Sequence, residues 1–245
     1  MKRTLLIYLI CLTSTIVYGQ KKAKEVIQKI PMADGLIVDG DLSDWKGGLQ
    51  MVDVDTSWSY ALAYDADHLY VSVRVSNQYL QREVVQTGVT FGINMLGKKK
   101  EGATLTYPRA DNDNIRELLQ SEELTDKNFR KRMINTAKGY QVAGFPTIVD
   151  GSLSFKNSYG IRAHMTIDTG DNLCYEAAIP LKQLNLAPGH QDPIAIQIGV
   201  SDPRSVSAKN SRQRNSLSRS DSNQQLKTKN KTQTEVWILA SLLQD

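Results

Sequence analysis

Between Leu69 and Val75 every second side chain is apolar: Leu69, Val71, Val73 and Val75 share one face, and Tyr70, Ser72 and Arg74 share the other. A period of two is what a half-buried strand imposes on its sequence, because successive side chains leave opposite faces of the pleat. The run Tyr60 to Tyr64, set apart by the turn residues Asp65-Ala66-Asp67, reads as the antiparallel partner of this strand. The same alternation recurs at Gln50 to Val54, Val89 to Met95 and Ala103 to Tyr107. Later runs are Tyr159 to Ile167, Cys174 to Ile179, Ile194 to Val200 and Glu235 to Leu239. Asp39-Gly40, Leu96-Gly97, Asp150-Gly151 and Thr169-Gly170-Asp171 supply turn chemistry where runs stop. Many short strands with regular turns predict an all-β fold, an antiparallel β-sandwich. With 245 residues, 40% of them hydrophobic, the chain can fill the space between two sheets.

Two segments break the β rhythm. From about 111 to 138, Ile115, Leu118 and Leu119 and then Phe129, Met133 and Ile134 follow helical spacing, which predicts a helical insertion of two short helices. Asp113 and Thr125 are the expected N-caps, Gly139 the expected stop, and Phe145-Pro146 the start of an extended return to the sheet. From about 204 to 234 the chain is rich in Ser, Asn, Gln, Lys and Arg, with Leu217 and Leu226 almost its only large apolar residues, so it reads as a disordered loop. Eight basic residues there (Arg204, Lys209, Arg212, Arg214, Arg219, Lys227, Lys229 and Lys231) face Asp221 alone. The formal charge of the whole chain is only +4, so the remainder is net acidic. A solvated loop and a contact site for an acidic glycan or an envelope protein are both open readings of it. Nucleic acid is not an expected partner, because the loop carries no aromatic residue on which a base would stack.

At the amino terminus Lys2 and Arg3 precede an apolar run from Leu5 to Val17, and Val17-Tyr18-Gly19 places modest or small residues at a cleavage site. This predicts a signal peptide over 1–19, with 20–245 forming a single sandwich domain. The run falls short of the roughly 20 residues that span a bilayer, so no transmembrane segment is expected after cleavage. The product is expected in the periplasm, at the cell surface or outside the cell. Ile10 precedes Cys11 where a lipoprotein signal needs a small residue, so lipid anchoring is not expected. The exported chain keeps Cys174 alone and has no intrachain disulfide available. Cys174 reads as a small buried apolar residue.

The phrase Val38-Asp39-Gly40-Asp41-Leu42-Ser43-Asp44-Trp45 resembles the opening of the family-9 carbohydrate-binding modules and their DOMON-like relatives. Tyr64-Asp65-Ala66-Asp67-His68-Leu69-Tyr70-Val71 resembles that family's tyrosine-aspartate turn and following strand. Tyr175-Glu176-Ala177-Ala178-Ile179-Pro180-Leu181-Lys182-Gln183-Leu184 is similar to its late Glu-x-x-Ile-Pro strand, and Ile198-Gly199-Val200-Ser201-Asp202 to the strand after that. The resemblance spans about 30 to 243 and implies a β-sandwich with a sugar site at one end, where aromatic rings clamp a terminal sugar.

On that reading the protein is an exported, non-catalytic carbohydrate-binding protein. Trp58 and Trp237 are the candidate stacking rings, and Tyr107, Arg74 and Arg109 the candidate lining. Trp45 is expected to hold the core. An oligo- or polysaccharide is the expected partner. Some family members carry calcium, for which Asp39, Asp41, Asp65 and Asp67 are the candidate ligands, although turn-forming aspartates explain the same letters. A haem-binding electron carrier is an alternative, with His68, His164, His190 and Met165 available. It is disfavoured, because His164 and Met165 are neighbours in a strand and point to opposite faces. An envelope scaffold that uses the sandwich as a platform is the other alternative. The carboxylates are scattered, with no recognisable catalytic constellation, so an enzyme is not expected.

Overall fold

The structure is a computed structural model that describes residues 26–52, 57–109, 126–187, 190–201 and 233–242. The predicted signal peptide, the first helix of the insertion with Asp113 and Thr125, and nearly all of the basic loop lie outside the described residues. Among the described residues twelve strands form two sheets: β1 (Ile27–Lys29), β2 (Gln50–Met51), β3 (Trp58–Tyr64), β4 (His68–Val75), β5 (Val89–Asn94) and β6 (Ala103–Tyr107), followed by β7 (Gly139–Ala143), β8 (Gly151–Ser154), β9 (Arg162–Ile167), β10 (Leu173–Pro180), β11 (Ile194–Gly199) and β12 (Glu235–Ser241). The larger sheet runs β1-β12-β11-β5-β6-β7-β8 and the smaller β2-β3-β4-β10-β9. Every pairing between these strands is antiparallel except β1 with β12. This is the all-β sandwich that the alternation predicts.

Register explains the core. Trp58, Tyr60, Leu62 and Tyr64 of β3 pair with Val75, Val73, Val71 and Leu69 of β4, all on the face turned toward the other sheet. Leu173, Tyr175, Ala177 and Ile179 of β10 continue these rows. Phe91 and Ile93 of β5 meet them from the larger sheet, with Ile196 and Ile198 of β11 alongside. Each such side chain, fully withdrawn from water, contributes roughly 1.5–3 kcal/mol before chain entropy is set against it. Cys174 is buried, as expected of a small apolar residue.

A ten-residue helix, α1 (Gln78–Thr87), links the two sheets where the alternation gave no warning of one. Its local signals are an Asn77 side chain that accepts from the Leu80 N–H at 3.0 Å, and Gly88 at φ +85°, a conformation that only glycine adopts cheaply. The described part of the insertion is α2 (Lys127–Asn135), whose apolar stripe Phe129, Met133 and Ile134 is buried as its spacing predicts. The N-cap position falls on Asp126, and the helix ends at Thr136. Gly139 is thus not the stop. It opens β7, where a Cβ would come within 2.4 Å of the Leu153 carbonyl oxygen on β8. Phe145-Pro146 lies in the β7–β8 connection, which returns to the sheet at Gly151 through turns instead of an extended stretch. The strand expected from Tyr159 begins only at Arg162, because the Asn157 side chain closes a turn on both backbone groups of Ile161, at 3.0 and 3.3 Å.

The two helices meet at a buried guanidinium. Arg130 of α2, 1% exposed, donates to Gln81 Oε1 of α1 at 2.8 Å and to Asp171 Oδ1 in the β9–β10 turn at 2.7 Å. Gln81 passes the connection on by donating to the carbonyls of Val75 and Asp171. Burial alone would raise the Asp171 carboxyl, but the hydrogen bond and charge of Arg130 and the hydrogen bond from Gln78 outweigh it and hold the group below its usual range. A depressed carboxylate contributes stability above its unfolded pKa and loses it as pH falls through the folded value. Arg130→Met is therefore expected to cost roughly 2–3 kcal/mol in urea unfolding at neutral pH, discounted for the partial exposure of Asp171. The gap from the parent protein should narrow below about pH 4, and a pH series of urea melts measures both effects.

Candidate functional site

The opening phrase lies across the outer face of the smaller sheet. The outward residues there are small in the middle: Ala61 and Ala63 of β3, Ser72 of β4 and Ala178 of β10. Ala33, Leu36, Val38 and Trp45 pack into the shallow bed they leave, against Ala63, Tyr70 and Ala178. One buried carboxylate fixes the segment. Glu176 of β10, 1% exposed, accepts from the Trp45 indole N–H at 2.6 Å, the Gly40 N–H at 2.7 Å and the Asp39 N–H at 3.2 Å. Burial pushes the Glu176 carboxyl above the usual glutamate range, against the opposing pull of these donors. Gly40 is required here: its φ is +87°, and a Cβ would meet the Thr166 methyl at 2.6 Å. Asp39 and Asp41 tighten the turn by accepting the Asp41 and Ser43 N–H groups at 2.8 and 3.0 Å. Trp45 thus has the structural role expected of it, but in a small apolar cluster on the outer face of the sheet, where it is half-buried, and not between the sheets.

Beside Trp45 is a cavity of about 490 Å³. It forms where the chain crosses from one sheet to the other. Ile30 donates to the Ser241 carbonyl at the end of β12, whereas the Tyr64 N–H donates to the Pro31 carbonyl at 3.1 Å and the Ala33 N–H to the Tyr64 carbonyl at 2.9 Å, which ties segment 31–33 to β3. Trp45, Ala61, Leu62 and Ala63 are among the residues that line it. The polar residues at the cavity are Gln28, Lys29, Asp34, Asp44, Lys46 and Gln50. Asp44 Oδ2 accepts the Ile37 N–H at 2.9 Å, which holds this side chain in place. Such a concave site, with an aromatic ring, an aliphatic side and several hydrogen-bonding groups of both kinds, suits a small polyhydroxylated ligand.

The structure does not bring the sequence-predicted site residues together. Trp58, 1% exposed, lies between the sheets with its indole N–H donated to the Gln233 carbonyl at 2.6 Å. Its ring has no open face on which a sugar could stack, which corrects that assignment. Tyr107, 6% exposed, is likewise corrected: it meets Tyr140 and Phe155 edge-on at 5.5 and 5.8 Å, and burial pushes its hydroxyl up to about 12. Trp237 points outward from β12 on the larger sheet and is half-buried. Arg74 is exposed on the smaller sheet and Arg109 is exposed just beyond β6.

Asp65 is held by turn geometry, accepting from the Asp67 and His68 N–H groups and from the Tyr70 hydroxyl. Burial would raise its carboxyl, yet those hydrogen bonds together keep it below the usual range. Among the described residues no group of three or more His, Cys, Asp or Glu side chains is placed to hold a metal ion, and this includes Asp39, Asp41, Asp65 and Asp67. His164 is exposed and Met165 buried, on opposite faces of β9 as alternation requires.

Sequence reasoning missed the cavity because Gln28 and Lys29 of β1 meet Ala61 of β3 only through the crossing between sheets. The signal that was available is the row of small outward residues, Ala61, Ala63 and Ala178, which implies that something packs on them.

No family model matches the chain, and no curated protein does. Among solved structures, the chain is similar to a family 9 carbohydrate-binding module from Caldicellulosiruptor kristjanssonii in complex with cellotriose. That match has a TM-score of 0.37 and 10% identity, covering 73% of this chain and 79% of the other. A second match, to a module of the same family and organism in complex with glucose, has a TM-score of 0.33 and 13% identity, covering 74% and 81%. The sandwich described above rests on its own sheets and register, not on these likenesses.

Glu176→Ala strands three N–H donors under the opening segment, and a loss of roughly 2–4 kcal/mol is expected. Chemical unfolding would measure it, together with a red-shifted native tryptophan emission as Trp45 loses its anchor. Burial pushes the Cys174 thiol up to about 11. In a Cys11→Ala background its reaction with a disulfide reagent at neutral pH should be slower in the native protein than in urea by on the order of a hundredfold.

Proposed function

We propose that the protein is an exported, non-catalytic carbohydrate-binding protein whose sugar site is the cavity beside Trp45. The observation that carries this reading is the cavity itself: about 490 Å³, lined by an indole, small aliphatic residues and side chains with amide, carboxylate and ammonium groups. A pyranose has two weakly polar faces and a polar rim. Burying one face on an indole while side chains take the hydroxyls satisfies both parts of the molecule. Asp34 and Asp44 supply acceptors, Lys29 and Lys46 donors, and Gln28 and Gln50 both.

The leader-like run behind Lys2 and Arg3 supports export, and no helix among the described residues is long and apolar enough to cross a membrane. The volume favours a sugar end or a short oligosaccharide over the middle of a long chain. The Glu176 anchor makes the site pre-formed, so little ordering cost falls on the ligand.

A glycan array read with the purified protein, followed by calorimetry on the best mono- or oligosaccharide, tests the proposal. Lys46→Ala changes an exposed cavity residue without touching the core, Gln50→Ala one that also accepts from the Tyr60 hydroxyl at 3.1 Å, and each is expected to weaken binding about tenfold, or about 1.4 kcal/mol, with the fold checked by urea unfolding. An array without a single retained glycan, or both variants binding as the parent does, would overturn it.

A further inference from the structure

We propose that the outer face of the seven-stranded sheet is a second and open binding surface, for a neutral, extended polysaccharide. It lies on the opposite sheet from the Trp45 cavity and stands independently of that site. Trp237 of β12, Gln197 of β11, Gly92 of β5 and Thr104 of β6 form one outward row by register. Glu235, Gly199, Thr90 and Thr106 form the next. A lone solvent-side aromatic is ordinary on a surface, but this one sits in a built setting. Its indole N–H is donated to Glu235 Oε1 two residues earlier on the same strand, which orients the ring and occupies the one carboxylate in these rows.

The neighbours of the ring are level with it and able to bond. At Gly92 a Cβ would meet the Gln197 carboxamide oxygen at 2.9 Å, so the missing side chain lets Gln197 lie over the sheet beside the tryptophan row. The Gln197 carboxamide has no hydrogen-bond partner among the described residues, nor does that of Gln141 on β7. The hydroxyls of Thr90 and Thr106 face each other at 3.1 Å. An indole, carboxamides and hydroxyls on a flat sheet match a pyranose chain, which offers faces for stacking and hydroxyls for exchange.

Charge decides the class of ligand. Among the described residues neither row holds Lys or Arg, so the rows themselves bind by stacking and hydrogen bonding and not by neutralising phosphate, sulfate or uronate groups, which suits an uncharged chain. The rows cross five strands from β12 to β7, about 19 Å at the usual strand spacing, which is room for several sugar rings in line.

Affinity electrophoresis tests this with hydroxyethylcellulose, xylan and galactomannan as neutral polymers and polygalacturonate as the anionic one. The parent protein should be retarded by at least one neutral polymer, and any retardation by polygalacturonate, which the basic residues of 204–234 could supply, should be unchanged in Trp237→Ala. Trp237→Ala should lose that retardation at least tenfold in apparent affinity, and Gln197→Ala should weaken it while leaving the fold intact. Lys46→Ala should keep the retardation, so failure of the cavity and failure of the face are told apart. The proposal is overturned by absence of retardation with every neutral polymer, or by both face variants migrating as the parent does. It is equally overturned if light scattering shows a dimer that Trp237→Ala or Gln197→Ala dissociates, since the face would then be an interface between copies.

Discussion

A single buried carboxylate holds the entry of this chain against its sheet. Glu176 sits midway along β10, an inner strand of the five-stranded sheet, points outward and accepts three N–H groups from the opening phrase. A carboxylate taken out of water must be fully hydrogen-bonded to be tolerated, and the Asp-Gly turn and the Trp45 indole are what meet that need. The dependence runs both ways. Without the turn Glu176 would face a bed of alanines, and without Glu176 the turn and Trp45 would keep only their apolar contacts and the bond from the Thr166 hydroxyl to the Gly40 carbonyl. The cavity beside Trp45 exists because this segment is pinned at one end by Glu176 and at the other by its hydrogen bonds to β3.

The two outer faces of the sandwich are treated differently, and the difference follows from side-chain size. On the smaller sheet, small outward residues invite a covering layer that brings its own aromatic and polar groups. On the larger sheet, outward threonines and glutamines with Trp237 among them make a surface of the sheet itself. Between the faces the inner rows are uniformly apolar, and the Arg130–Gln81–Asp171 bonds secure the two helices to the β9–β10 turn. Rigidity at that turn and at Glu176 leaves the cavity and the open face as places where a ligand can be met without rearranging the core.

Much of the fold was legible because period-two alternation is a local property: β4, β6, β10 and β11 are found within a residue or so of where their patterns place them. What escaped was set by longer range or by brevity. β1 is three residues long and exists only by pairing with β12, some two hundred positions away. β7 and β8 form a short hairpin whose opening glycine reads as a helix stop until Leu153 is seen packed over it. α1 carries adjacent valines that suit a strand, and only its Asn77 cap and Gly88 terminus mark it as a helix. The site was less legible than the fold. Which face of a strand is inside cannot be read from one strand alone, so Trp58, read as just preceding a run, and Trp237, read within one, were both left as candidate rings although one faces inward and the other outward. Trp45 was conspicuous as a letter, but its place outside the sandwich depends on Glu176, more than a hundred residues later.

The most direct test of the cavity as the sugar site is fluorine NMR of the protein labelled with 5-fluorotryptophan, each of its three resonances assigned by a single Trp→Phe replacement. Titration with mono- and oligosaccharides selected on a glycan array should move the Trp45 resonance saturably and leave the buried Trp58 resonance where it stands. A saturating sugar that leaves Trp45 unmoved, or that shifts Trp58 instead, would contradict the account.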